Sequence, residues 1–128
     1  VTDFEHRTFG DELARCQRYF FQETGTSTDA SGRLGVASGA GTVVYDHTLP
    51  VQMRAKPSVA LTSTSLRIGD TVAAGFTTTS GTIAISTYSG SASGTYTLGG
   101  FSGLTSYRTY LHEPDSSNPG IVKFDAEL

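Results

Sequence analysis

The densest group of chemistry-bearing side chains in this sequence is Tyr107, Arg108, Tyr110 and His112. On a strand, alternation places Arg108, Tyr110 and His112 on one face and Tyr107 and Leu111 on the other. An outward Arg, Tyr and His in a row can stack on a sugar ring and bond its hydroxyls. These four are therefore the candidate ligand-binding residues. The same row also suits a cross-strand pairing surface or a subunit contact. The chain has no Trp, which removes the largest flat apolar face a sugar site could use.

Catalytic patterns are sparse. Gly90 and Gly94 have the separation of a nucleophile elbow, but Ala92 stands where the nucleophile would be. His112 and Glu113 are followed at once by Pro114 with no second His, so they are not a zinc-protease helix. There is no phosphate loop, dinucleotide fingerprint or calcium-loop pattern. The 12 carboxylates could include a glycosidase pair, yet spacing along a chain cannot put two in one cleft. The expectation is a non-enzymatic domain without cofactor or metal. His6, His47 and His112 lie far apart and read as packed or surface imidazoles. Asp115 and Asn118 offer hard oxygens that suit Ca²⁺, but they also suit a polar turn, the preferred reading.

A small set of elements must position these residues. Thr8 stands three residues before Asp11, the spacing of a helix cap. Phe9, Leu13, Cys16 and Phe20 then fall at spacings of four, three and four, one apolar stripe of a helix over residues 10–16. Cys16 on that stripe reads as a buried small hydrophobe. Arg15 and Arg18 toward the helix end suit its dipole and read as anchors to carboxylates or carbonyls. An aromatic strand is expected over 17–23 and a long Gly/Ser/Thr loop over 24–41, with a short strand at 34–37. The segment 42–49 should turn Val43, Tyr45 and His47 to one face. Pro50 and Pro57 bracket an edge or bend containing Met53 and Arg54. Further short strands are expected at 58–63, around Leu66, Ile68, Val72, Ala74 and Phe76, and over 82–88, with Ile83 and Ile85 inward. A turn at 89–95 leads to Tyr96 and Leu98, and another strand to 106–112. Val122, Phe124, Ala126 and Leu128 share one face of the clearest strand, at the C-terminus.

Composition agrees with this pattern. The chain has 128 residues, of which 15 are Gly and 16% charged, below the usual share of about 25%. That balance disfavours a helical bundle, and the 13 aromatic residues (7 Phe and 6 Tyr) disfavour disorder. Eight or nine short strands in one domain point to an all-β antiparallel sandwich of the jelly-roll type, with one short N-terminal helix. The net charge is −3, and basic residues cluster no further than the pairs Arg15/Arg18 and Arg54/Lys56, so no nucleic-acid partner is expected. No apolar run is long enough to insert in a membrane. The start at Val1 reads as a piece of a longer chain or a processed one, and the terminal strand as the end of that chain.

Three segments resemble one family. Glu12-Leu13-Ala14-Arg15-Cys16-Gln17-Arg18-Tyr19-Phe20 is similar to the Glu-Leu-Ala-x-Cys-Gln-Arg-Tyr-Tyr segment of C-terminal domains of tailed-bacteriophage fibre, tail and related virion proteins. Leu49-Pro50-Val51-Gln52-Met53-Arg54 followed by Pro57 and Val59 resembles the family's Phe-Pro-Val-x-Met-Arg strand. Phe124-Asp125-Ala126-Glu127-Leu128 resembles its terminal strand. Phe20 and Leu49 depart from the pattern, and residues 62–118 carry none of it. The resemblance implies a jelly-roll-like domain ending a longer virion protein, often a homotrimer, beside other virion proteins. It implies framework roles for Leu13, Cys16, Arg18, Tyr19, Met53 and Arg54. Arg18 is expected to bond backbone across the helix-to-strand junction, and Met53 and Arg54 to fix the Pro-bracketed strand. It implies no particular ligand.

Three functions follow in order. The first is a fibre or tail module that attaches to a host-surface glycan or protein. The second is a capsid-decoration, head-fibre or trimerisation domain with a structural role. The third is a polysaccharide-degrading enzyme, though the long repeat that usually carries such chemistry is missing. The expected location is the virion, assembled in the host cytoplasm, which suits a single Cys without a disulfide. Phe4, Phe9 and the outward aromatics exceed the needs of a small core and are expected at subunit contacts.

Overall fold

Alternating apolar and hydroxyl-bearing residues dictate strands with one buried face, and ten strands follow a single helix. The computed structural model describes residues 8–23, 33–70, 75–87 and 89–127. In chain order the elements are α1 (Phe9–Gln17), β1 (Phe20–Gln22), β2 (Leu34–Gly39), β3 (Thr42–Thr48), β4 (Ser58–Leu61) and β5 (Leu66–Gly69). They continue with β6 (Phe76–Thr78), β7 (Thr82–Ile85), β8 (Ser93–Gly99), β9 (Thr109–His112) and β10 (Val122–Asp125). The expectations for Phe4, Val72, Ala74, Leu128, most of the 24–41 loop and nearly all of the N-terminal arm lie outside the described residues.

The strands form two antiparallel sheets. One has three strands, in the order β1-β10-β4. The other has seven, in the order β6-β5-β9-β2-β3-β8-β7. Pairing is nested: β1 bonds β10, β2 bonds β9, β3 bonds β8 and β5 bonds β6. β4 lies beside β7 and joins the two sheets at that edge. A long hairpin rolled on itself gives this order, which makes the all-β sandwich jelly-roll-like.

The sheets meet through aromatic rings. In β3, Val43, Tyr45 and His47 are buried and face Leu98, Tyr96 and Gly94 of β8 in register. Tyr45 and Tyr96 stack with centroids 5.6 Å apart. From the smaller sheet, Phe124 sets its ring edge-on to Tyr96 at 5.9 Å and lies 4.9 Å from His47. Leu66, Ile68, Leu98, Tyr110 and Val122 fill the remaining core. Gly35 in β2 is required by this packing. A Cβ there would lie 2.6 Å from the Val44 carbonyl oxygen and 2.7 Å from the Tyr45 ring.

Several boundaries differ from the sequence expectation. The aromatic strand shrinks to β1 because α1 runs to Gln17 and a turn takes up residues 18 and 19. The 106–112 strand starts only at Thr109, because the amide of Arg108 turns back to the Thr105 carbonyl and Tyr107 adopts φ 65°. The Pro-bracketed segment is a bend, held by the Met53 amide donating to the Ser91 carbonyl at 2.8 Å.

Candidate functional site

Thr8 caps α1 as its spacing requires. Its hydroxyl oxygen accepts from the Asp11 amide at 3.2 Å and donates to the Asp11 carboxylate at 2.8 Å. Of the expected apolar stripe, Phe9, Leu13 and Cys16 lie on α1, on the surface, whereas Phe20 falls in β1 beyond a turn. No residue of α1 is buried, Phe9 is 83% exposed, and Leu13 and Phe20 are also exposed. Cys16 is exposed as well, which corrects its reading as a buried hydrophobe. The physical reason lies in the sandwich, whose interior is filled by Tyr45, Tyr96, Phe124 and their neighbours, so α1 stays outside it and rests against β1. Of the expected framework residues, Met53 is buried, whereas Leu13, Cys16, Arg18, Tyr19 and Arg54 are all exposed.

The turn after α1 places those exposed residues with care. The amides of Arg18 and Tyr19 bond the carbonyls of Arg15 and Cys16. The Arg18 carbonyl then accepts from the Arg54 amide at 2.9 Å, and the Tyr19 carbonyl from the Ala126 amide at 2.7 Å. Arg18 thus crosses to the Pro-bracketed segment through its backbone, which leaves its guanidinium free to face solvent. The Arg54 guanidinium lies over the Tyr19 ring, 5.9 Å from its centroid, a cation–π contact. An open cavity of about 310 Å³ is lined by Arg15, Arg18 and Tyr19. Its size is at the lower end of small-ligand sites, roughly 300–1,000 Å³.

The four residues singled out by sequence are not brought onto one face. Tyr107 is 88% exposed on its turn. Arg108 is half-buried, its Nε 3.1 Å from the Asp70 carboxylate. Tyr110 and His112 point into the core, and the Tyr110 hydroxyl accepts from the Thr105 amide at 2.9 Å. The expected outward row is therefore corrected. Two aromatic rings on one strand face bury more apolar area than Thr109 and Leu111 would, and that decides which face turns inward. Asp115 and Asn118 form the polar turn. Asp115 Oδ1 accepts from the amides of Ser117 and Asn118 at 2.9 and 2.7 Å. The Arg67 guanidinium and these donors hold the Asp115 carboxyl below the usual range.

A second polar group lies inside the molecule and had no sequence signal beyond its residue types. Glu23 is 4% exposed, paired with the Arg33 guanidinium, and accepts from the Tyr96 hydroxyl at 3.2 Å. Arg33 also donates to the Asp46 carbonyl at 2.8 Å. Burial pushes the Glu23 carboxyl up, against the pull of Arg33 and Tyr96, and burial likewise raises the Tyr45 and Tyr96 phenols. His47 is buried with no hydrogen-bond partner at either ring nitrogen among the described residues, and desolvation lowers its pKa. His112 is lowered to about 4 by burial, opposed by a bond with the Gly120 backbone. Enclosed in this way, the group ties residues 23 and 33 together across the chain between them. Among the described residues no three His, Cys, Asp or Glu side chains are placed to hold a metal ion. No helix there is long and apolar enough to cross a membrane.

Comparison with known proteins returns no match to a family model, to a curated protein or to a solved structure.

Proposed function

We propose that this chain is a non-enzymatic module of a tailed-phage virion protein that attaches the particle to a host-surface glycan or protein. The observation that carries this reading is the open cavity beside α1, lined by Arg15, Arg18 and Tyr19 with Arg54 stacked on the Tyr19 ring, in a chain otherwise poor in charge. Arginine and tyrosine are the side chains most often used to anchor a ligand at a surface, because each joins a flat face to directed donors. The three sequence segments that resemble phage virion domains include all four of these residues. Binding of the purified chain to a glycan array and to whole host cells tests the reading. Saturable binding is expected, and no binding at high protein concentration rejects it.

A second reading is favoured by a different observation. Phe9, Leu13 and Cys16 on α1 and Phe20 at the start of β1 are apolar side chains left exposed by the rest of the described chain. Such side chains suit a contact between subunits, so the module is a homotrimer or an assembly domain within the virion. Deleting the segment then costs particle assembly. Normal assembly with lost adsorption rejects a purely structural role.

A further inference from the structure

The described arginines divide into two groups. Arg33 pairs with Glu23, Arg67 with Glu113 and Asp115, and Arg108 with Asp70. The guanidinium groups of Arg15, Arg18 and Arg54 pair with no carboxylate among the described residues and donate to no carbonyl there. Three of the nine basic residues in a chain of net charge −3 thus have no counter-ion among the described residues. The pairing of β1 with β10 brings Asp125 and Glu127 to the same end of the sandwich. Asp125 spends its carboxylate on the Glu127 amide, at 2.8 Å, rather than on a guanidinium.

Local geometry explains why the three converge. Arg15 and Arg18 are three apart and so lie on neighbouring sides of the last helical turn. The backbone bond from the Arg54 amide to the Arg18 carbonyl brings residue 54 beside this turn, and its guanidinium lies over the Tyr19 ring. Its stacking on Tyr19 restricts it over the ring. A guanidinium carries five N–H donors in a rigid fork that matches the oxygens of a carboxylate or phosphate. Two of them line a cavity of about 310 Å³ and the third stacks on the ring that completes the lining, a receiver for one compact oxyanion together with the small group that bears it.

We propose that the cavity lined by Arg15, Arg18 and Tyr19, with Arg54 stacked on the Tyr19 ring beside it, binds an anionic sugar unit, through a carboxylate as in a sugar acid or through a phosphate as in a sugar phosphate. This rests on the attachment reading only for the biological source of the sugar. Anion binding by the purified chain is measured apart from adsorption to cells, so the two can fail separately.

Calorimetric or NMR titration of the full chain with sodium glucuronate, inorganic phosphate and glucose tests it. Glucuronate, phosphate or both bind saturably and more weakly as salt rises, whereas glucose does not bind. Binding of glucuronate alone assigns the site to sugar acids, and of phosphate alone to phosphorylated sugars. Arg18→Gln with Arg54→Gln weakens binding by roughly tenfold or more, the loss expected when charge-assisted forks are removed. Arg67→Gln leaves binding unchanged. Should the double variant lose its fold, protection of Arg18 and Arg54 from phenylglyoxal by the bound anion in the wild-type chain takes its place. The proposal is overturned if neither anion binds, if glucose binds as well as glucuronate, or if the double variant, still folded, binds like the wild type. Failure of the bound anion to protect both arginines overturns it equally.

Discussion

His112 is enclosed in the core, and burial holds its imidazole down at about 4. In the unfolded chain the same ring takes up a proton near its ordinary value of 6.5. Between these values the unfolded state binds more protons, so stability falls as pH drops through this window. His47 is shifted in the same direction and adds to the effect. Glu23, raised by burial, acts the other way just above its ordinary value of 4.5, because there the folded state holds the extra proton. Urea unfolding should show a loss of about 2 kcal/mol from His112 between pH 7 and pH 5, and His112→Gln should flatten it. An equal pH slope in the variant would contradict the assignment. Arg33→Met leaves the Glu23 carboxylate buried without its guanidinium and should cost about 3 kcal/mol. Adding Glu23→Gln should recover part of that loss, read from the same denaturation curves. At this scale the sequence is legible where parity is unambiguous. Val43, Tyr45 and His47 alternate without interruption and are buried together. The 108–112 segment misleads because Arg108 shares the parity of Tyr110 and His112 but precedes the strand and bonds Asp70 instead. Glu23 gives no warning, since nothing local marks a carboxylate whose partner lies ten positions away in the sequence.

Element by element, α1 shows what periodicity can and cannot establish. The Thr8 cap and the 9-4-3-4 run of apolar positions define the helix to within one residue at each end. They reveal an apolar face, and an apolar face is compatible with any cover, inside this chain or outside it. Because α1 buries nothing, its stability is nearly separate from that of the sandwich. Thr8→Ala should therefore cost the helix about 1 kcal/mol, seen as faster amide exchange across α1. The melting of the sandwich should hardly move. A cooperative fall in the global melting temperature would show that α1 is integral to the core. The last strand is the opposite case: β10 sits between β1 and β4, and Val122 and Phe124 are wholly buried. Phe124→Ala should cost about 3–5 kcal/mol in chemical denaturation, since it vacates the contact between the sheets.

The molecule as a whole is a rolled hairpin with its aromatic core closed and two features left on its surface. One is the exposed apolar side chains of α1, and the other is the group of arginines near the end of the same helix that pair with no carboxylate among the described residues. Class and architecture were legible because turn spacing and alternation are local signals. The arginine cluster was not, because Arg15/Arg18 and Arg54/Lys56 read as two separate pairs until the Arg18–Arg54 backbone bond joins them. If the exposed apolar side chains form the subunit contact, light scattering should give a trimer for the wild type. Leu13→Asp with Phe20→Ser should then give a folded monomer with unchanged circular dichroism. A wild-type monomer at high concentration would exclude self-association through this face. Attachment is tested most directly by competition, with the purified chain added to host cells before the particles that carry it. The wild-type chain should block particle adsorption in a saturable way, and the Arg18→Glu, Arg54→Glu chain, folded to the same extent, should not. Adsorption unaffected by saturating wild-type chain would contradict a role in attachment.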